Sequence, residues 1–156
     1  MKRVKVQASM LVGMAFFLFV ALAPSRLNAQ TSNAATLTVR VINARNAKGM
    51  IRVALFRTAD GFPGDTSKAA RVQGTRIDST TLTSEIVFVG IPPGIYAVSA
   101  FHDESMNGKL DKNVVGIPKK GYAASNNPKK KMGRPGFEET SFSMKGDQSV
   151  EIKLIY

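Results

Sequence analysis

Apolar and polar residues alternate along several short segments of the chain. In 36–43 the apolar residues take every second position, and 50–57 repeats the pattern. A period of two is the signature of a strand that buries one face. The polar turn 44–49, which ends in glycine, separates these two segments, so the pattern predicts that they form a β-hairpin.

Later segments are rich in β-branched and aromatic residues, as strands are. Such strands are predicted at 76–83, 84–90, 95–102, 138–144 and 149–156. Segment 64–72 is predicted to contain a helical turn, and 103–137 to be one long irregular loop. Because the rest of the chain lacks helical periodicity, the pattern predicts a single all-β domain over 36–156, an antiparallel β-sandwich of about seven strands.

The amino terminus has the pattern of a secretory signal peptide. A basic start precedes an apolar run over 8–23, and the small residue Ala29 follows it. The run is shorter than the roughly 20 residues that a membrane-spanning helix needs, although a retained anchor is the alternative. We therefore predict a signal peptide over 1–29, a flexible leader over 30–35, and export to the periplasm or the cell exterior. The alternative cleavage positions are Ala34 and Ala35.

Positive charge is concentrated in one part of the chain. After cleavage the chain would keep 18 basic and 11 acidic residues, a net charge of +7. The segment 116–137 contains no acid and six basic residues, which are Lys119, Lys120, Lys129, Lys130, Lys131 and Arg134. We predict that it binds anions such as lipid headgroups, lipopolysaccharide or acidic glycans, and a solvated loop is the alternative. Tyr122 is its only stacking aromatic before Phe137, which argues against nucleic acid.

The segment "HDESMNGKLDKN" (102–113) spaces its oxygen-bearing groups as a calcium loop does. Positions 1, 3, 5, 7 and 9 of such a loop would be Asp103, Ser105, Asn107, the carbonyl of Lys109, and Asp111, with Gly108 at the bend. Position 12 is Val114 instead of glutamate, so a calcium site here would be weak, with Kd on the order of 10⁻⁴–10⁻³ M. The alternative is a plain turn, which the Asn-Gly pair predicts. The residues favour the turn over the cation site.

His102 is the only histidine, and it precedes Asp103. A hydrolase or isomerase that uses His102 with Asp103 or Asp111 is one alternative. The chain has no cysteine and no Gly-x-Ser-x-Gly turn, and adjacent side chains of a strand point to opposite faces. The residues therefore favour a structural histidine and a protein that is not an enzyme.

Two longer stretches carry a resemblance to a known family. "GIPPGIYAVSAFHDESMNGKLDKNVVGIPKKGYAASNNP" (90–128) and "GRPGFEETSFSM" (133–144) resemble an exported bacterial family called domain of unknown function 2141. The resemblance covers 36–156. The turn and strand "IPPGIYAVSA" are also similar to prealbumin-like, immunoglobulin-like sandwiches of bacterial surface proteins and of carboxypeptidase accessory domains. The resemblance implies a fold and export, but no reaction.

This chain departs from the family pattern at three positions. Lys120 stands where an acid is commoner, Ala123 where glycine is usual, and Ser105 where asparagine is more frequent. These departures weaken any cation site that the family shares. The prediction for function is a non-catalytic binding or accessory module of the cell envelope that presents its 102–137 loops to a partner, with a weak calcium site as an additional alternative.

Overall fold

The structure, a computed structural model, describes residues 34–110, 119–129 and 133–156. The predicted signal peptide lies outside the described residues. So do three predicted site residues, Asp111, Lys130 and Lys131. Within the described ranges, no helix is long and apolar enough to cross a bilayer.

The described chain is nearly all β. Its strands are β1 (Ala35–Ile42), β2 (Met50–Phe56), β3 (Arg71–Thr75), β4 (Ser84–Ile91), β5 (Gly94–Asp103), β6 (Tyr122–Ala124), β7 (Phe142–Met144) and β8 (Gln148–Lys153). A 3-10 turn spans Thr66–Lys68, and one short helix, α1, spans Phe137–Thr140. The prediction of an all-β sandwich is confirmed, with eight strands in place of about seven.

The strands form two sheets. One has the order β4-β1-β8, and the other has the order β3-β2-β5-β6, with β7 paired to the start of β5. Every pair is antiparallel except β1 with β8, which is parallel. Alternate residues of β1 and β2 point between the sheets and form the core, which includes Leu37, Val39, Val41, Ile51, Val53 and Leu55.

The second sheet is covered on its outer face as well. Phe56 and Ala97 point away from the sandwich core, yet both are buried. The ring of Phe62 packs edge-on against Phe56, with 5.3 Å between the ring centroids, and against Phe137 at 5.9 Å. Phe62, from the segment between β2 and β3, therefore covers part of this outer face. The second half of β2 is buried on both sides, whereas alternation predicted burial on one.

The predicted hairpin of the first two strands is wrong, because β1 and β2 belong to different sheets. Asn43 adopts a left-handed backbone conformation with φ of 69° just after β1. Its side-chain amide donates to the carbonyl of Leu154 at 2.8 Å, and Ala44 N donates to the carbonyl of Leu82 at 3.1 Å. These contacts turn the chain away from β1 and carry it across to the other sheet.

The predicted strand at 76–83 is also wrong. The edge strand β3 ends at Thr75, and a turn built on Asp78 follows it. The carboxylate of Asp78 accepts hydrogen bonds from the backbone N–H of Thr80 at 2.9 Å and of Thr81 at 2.7 Å. Such local bonds hold the backbone in a turn and take it out of a sheet ladder.

Near the carboxyl terminus, 138–144 is not one strand but helix α1 followed by β7. The carboxylate of Glu139 accepts from the N–H of Gly136 at 2.9 Å, and the hydroxyl of Thr140 donates to the carbonyl of Gly136 at 2.8 Å. These bonds stabilise the single helical turn. The predicted irregular segment 103–137 also contains β6, whereas the predicted helical turn in 64–72 is confirmed by the 3-10 turn.

Candidate functional site

Strand β5 ends with His102 and Asp103, whose side chains point to opposite faces of the sheet and are both fully buried. His102 Nε2 lies 2.7 Å from the carbonyl oxygen of Lys48, and Nδ1 lies 2.8 Å from the hydroxyl of Tyr156. Because a carbonyl only accepts, Nε2 carries a hydrogen and donates it to Lys48. Both nitrogens thus serve contacts within the protein, which favours a structural role for His102.

The carboxylate of Asp103 is the centre of a second cluster. Oδ1 accepts from Lys120 Nζ at 2.9 Å, and Oδ2 accepts from Arg52 Nε and from Gly108 N, each at 2.7 Å. Burial alone raises the pKa of Asp103, but the hydrogen bonds from Lys120, Arg52 and Gly108 outweigh it and lower the pKa to about 2. Asp103 is therefore an anion at every physiological pH.

The ammonium of Lys120 lies inside the loop that follows β5. Lys120 is only 5% exposed. Its Nζ donates to four oxygens, which are Asp103 Oδ1 at 2.9 Å, Ser105 Oγ at 2.9 Å, Asn107 Oδ1 at 2.7 Å and the carbonyl of Lys109 at 2.8 Å. These are the four predicted calcium ligands that the structure describes. The structure thus brings the predicted ligands together around the ammonium of Lys120, a residue that the charge pattern had assigned to the anion-binding segment.

The same loop is also a tight turn. Met106 N donates to the carbonyl of Asp103 at 3.2 Å, and Gly108 has a left-handed φ of 72°. Lys109 N donates to the side-chain oxygen of Asn107 at 3.0 Å. The turn and the cluster of oxygens are therefore one structure, because the turn directs its oxygens towards a single point.

A salt-bridged cluster lies beside this loop. The Glu104 carboxylate pairs with the guanidinium of Arg45 and accepts from Asn46 Nδ2 at 2.7 Å. The guanidinium also stacks 4.8 Å from the ring centroid of Tyr156, whose hydroxyl accepts from Arg45 N at 2.9 Å. The Arg45 hydrogen bond is the main cause that lowers the pKa of Glu104 to about 2. This cluster fixes the last residue of the chain against the loop.

The lowered pKa values of Asp103 and Glu104 predict acid destabilisation. A carboxylate whose pKa is lower in the folded state contributes stability above its unfolded pKa and loses it as the pH falls towards the folded pKa. For Asp103 and Glu104 the unfolded values are 3.8 and 4.5 and the folded values are about 2. Urea denaturation should therefore show that these two contributions to the free energy of unfolding are lost below about pH 5.5, by on the order of 2 kcal/mol for each group at about pH 2.

The Glu104→Gln variant is the control for this acid transition. It removes the titrating carboxyl of Glu104, so its stability should fall less steeply between about pH 5 and pH 2 than that of the unmodified protein. A variant and an unmodified protein with the same pH dependence would contradict the assignment of this loss to Glu104.

Exposed basic side chains surround a cleft beside β6. The cleft has a volume of about 190 Å³ and is lined in part by Tyr122, Asn127, Lys129, Arg134, Glu139 and Lys153. Lys129 and Arg134 come from the predicted anion-binding segment, and Lys153 is added from the end of β8. Lys119 is exposed, whereas Lys120 lies apart from this surface in the loop after β5. Strand alternation alone predicts that the side chain of Lys153 points outward. Its position beside the cleft could not be predicted without knowing the order of the strands in the sheets.

Comparison with known proteins gives one match. The family model described as an uncharacterized protein conserved in bacteria, DUF2141, matches residues 39–153. That range contains both the loop after β5 and the cleft beside β6. No curated protein and no solved structure matches the chain.

Proposed function

We propose that the chain, which belongs to the DUF2141 family of uncharacterized bacterial proteins, is an exported, non-catalytic binding module of the cell envelope. Its partner would be an anionic component of the envelope, either a lipid surface or an acidic glycan. The observation that carries the proposal is the convergence of Lys129, Arg134 and Lys153 on one cleft. The amino-terminal pattern of a signal peptide supports export.

The chemistry of the cleft suits an anion. Its three basic side chains come from two separate parts of the chain, and all three are exposed. Tyr122 adds a ring to the wall, and Glu139 is the one acid among the lining residues. A surface with a net positive charge attracts anionic headgroups by roughly 1 kcal/mol for each nearby Lys or Arg, and salt screens that attraction. The loop after β5 lies outside this proposal, because the ammonium of Lys120 is bound at its centre.

Binding assays on the processed chain test this function. Sedimentation with vesicles of phosphatidylglycerol and phosphatidylcholine forms one arm, and titration with polygalacturonate forms the other. The Lys129→Gln/Arg134→Gln double variant removes two charges from the cleft, so binding to the preferred anion should weaken about 30-fold. Raising the salt concentration should weaken the binding of the unmodified protein as well.

A second double variant controls for net charge. Lys68→Gln/Arg71→Gln removes two charges from exposed positions outside the cleft. Its binding should fall by less than about threefold, since only charges near the contact surface contribute strongly. Equal losses in both double variants, or no binding to either anion, would reject the cleft as the binding surface.

A further inference from the structure

The loop after β5 has the oxygen pattern of a cation site, and the atom at its centre belongs to the protein. The oxygens of Asp103, Ser105, Asn107 and Lys109 occupy alternate positions, as the first, third, fifth and seventh ligands of a calcium loop do. All four lie 2.7–2.9 Å from Lys120 Nζ. Two of these oxygens are neutral side-chain groups and one is a backbone carbonyl, so the cluster is not an ordinary ion pair.

Four acceptors exceed what one ammonium can satisfy singly, because an ammonium has three hydrogens. At least one hydrogen is therefore shared between two oxygens, as in the coordination of a small spherical cation. Calcium binds oxygens at 2.3–2.6 Å, so a contraction of a few tenths of an ångström would adapt the same loop to the metal. Lys120 and a calcium ion cannot occupy this centre together.

We propose that Lys120 is a tethered cation that takes the place of calcium in this loop. The covalent link makes the loop independent of the calcium concentration outside the cell, which an exported chain would otherwise follow. The loop therefore contains a calcium site that the ammonium blocks. The ligand oxygens are already in place, and removing the ammonium would open the site to calcium. Replacing Lys120 with an acid would both vacate the centre and supply one or two further oxygens.

Calorimetric titration with calcium chloride tests the proposal on the processed protein and its Lys120→Glu variant. The variant should bind one calcium with Kd on the order of 10⁻⁴–10⁻³ M, the range of weak extracellular sites. Its melting temperature should rise with calcium, because a ligand that binds only the folded state stabilises it. The unmodified protein should show binding at least about tenfold weaker, and equal affinity in the two proteins would overturn the proposal.

Lys119→Glu is the matched control. It makes the same charge change one residue away, at an exposed position. If a nearby carboxylate alone were enough to attract calcium, this variant would gain affinity as Lys120→Glu does. The proposal requires that it gain none, because Lys120 stays at the centre of the loop.

A measurement on the unmodified fold keeps the proposal testable if Lys120→Glu fails to fold. Lysine ammonium groups that are buried and hydrogen-bonded exchange their protons slowly, so a ¹H–¹⁵N correlation spectrum should show one protected ammonium signal at neutral pH. The signal should disappear in Lys120→Arg and persist in excess calcium. A spectrum without a protected ammonium, or one in which calcium removes the signal, would contradict a tethered cation.

Discussion

Replacing Asp103 with alanine is expected to lower the free energy of unfolding by about 3–5 kcal/mol, the usual cost of removing one partner from a buried ion pair. The carboxylate is fully buried and lies between the ammonium of Lys120 and the guanidinium of Arg52. Without it, two cations face each other with no anion between them, and Gly108 N loses its acceptor. Urea denaturation at pH 7 measures the loss.

A double-mutant cycle separates this electrostatic cost from lost packing. In the Asp103→Ala/Lys120→Met variant no ammonium needs the missing carboxylate, so the double variant should be more stable than the sum of the single losses predicts, by at least about 1 kcal/mol. Asp78→Ala is the control for a carboxylate that accepts backbone hydrogen bonds on the exposed surface, and should cost much less than Asp103→Ala. Additive single losses would show that the ammonium and the carboxylate are not coupled.

A strand could be predicted from the sequence where its pattern of buried and exposed residues depends only on the residues of that strand. The alternation in 36–43 locates β1 to within one residue, because the side-chain period of a strand depends only on its own backbone. The partners of β1 could not be predicted in this way. Its neighbours are β4 and β8, and the turn that separates it from β2 depends on contacts of Asn43 and Ala44 with residues far along the chain.

The burial of β2 on both faces shows the same limit. Ala54 and Phe56 are apolar at positions that alternation assigns to solvent, which is a signal that the outer face is covered. What covers it is a non-local fact, since Phe62 contacts Phe137 across 75 residues of sequence.

The oxygens of the loop after β5 were predictable because they lie within seven residues of one another, so their spacing alone fixes a common centre. The arrival of Lys120 was not predictable from charge, which placed it with the exposed cations of 116–137. The resemblance to the family contained the missing signal. Two of its three departures, Lys120 and Ser105, are partners in the structure, with 2.9 Å between Nζ and Oγ. Both departures therefore pointed to the loop after β5, and the structure shows that they meet there.

Replacing Gly49 with alanine is expected to cost about 3–5 kcal/mol, from a left-handed backbone angle and a collision together. Gly49 has φ of +70°, and a Cβ there would lie 2.1 Å from the carbonyl oxygen of Asp103 and 2.7 Å from Glu104 Cα. Both neighbours are backbone atoms, so no side-chain rotation can relieve the contact. Chemical denaturation measures the loss, and the protected ammonium signal expected for Lys120 should weaken, because the displaced carbonyl is the one that accepts from Met106 N within the loop.

Gly90→Ala isolates the contribution of the backbone angle. Gly90 has nearly the same φ, +72°, but a Cβ there would meet nothing within 4 Å. Its replacement should therefore cost only about 1–2 kcal/mol and should leave the loop after β5 unchanged. The difference between the two variants measures how tightly the turn before β2 packs against the loop that holds the ammonium. Equal losses would mean that the turn can move away from Asp103 freely, so that the close packing of Gly49 is not needed to hold the four oxygens around Lys120.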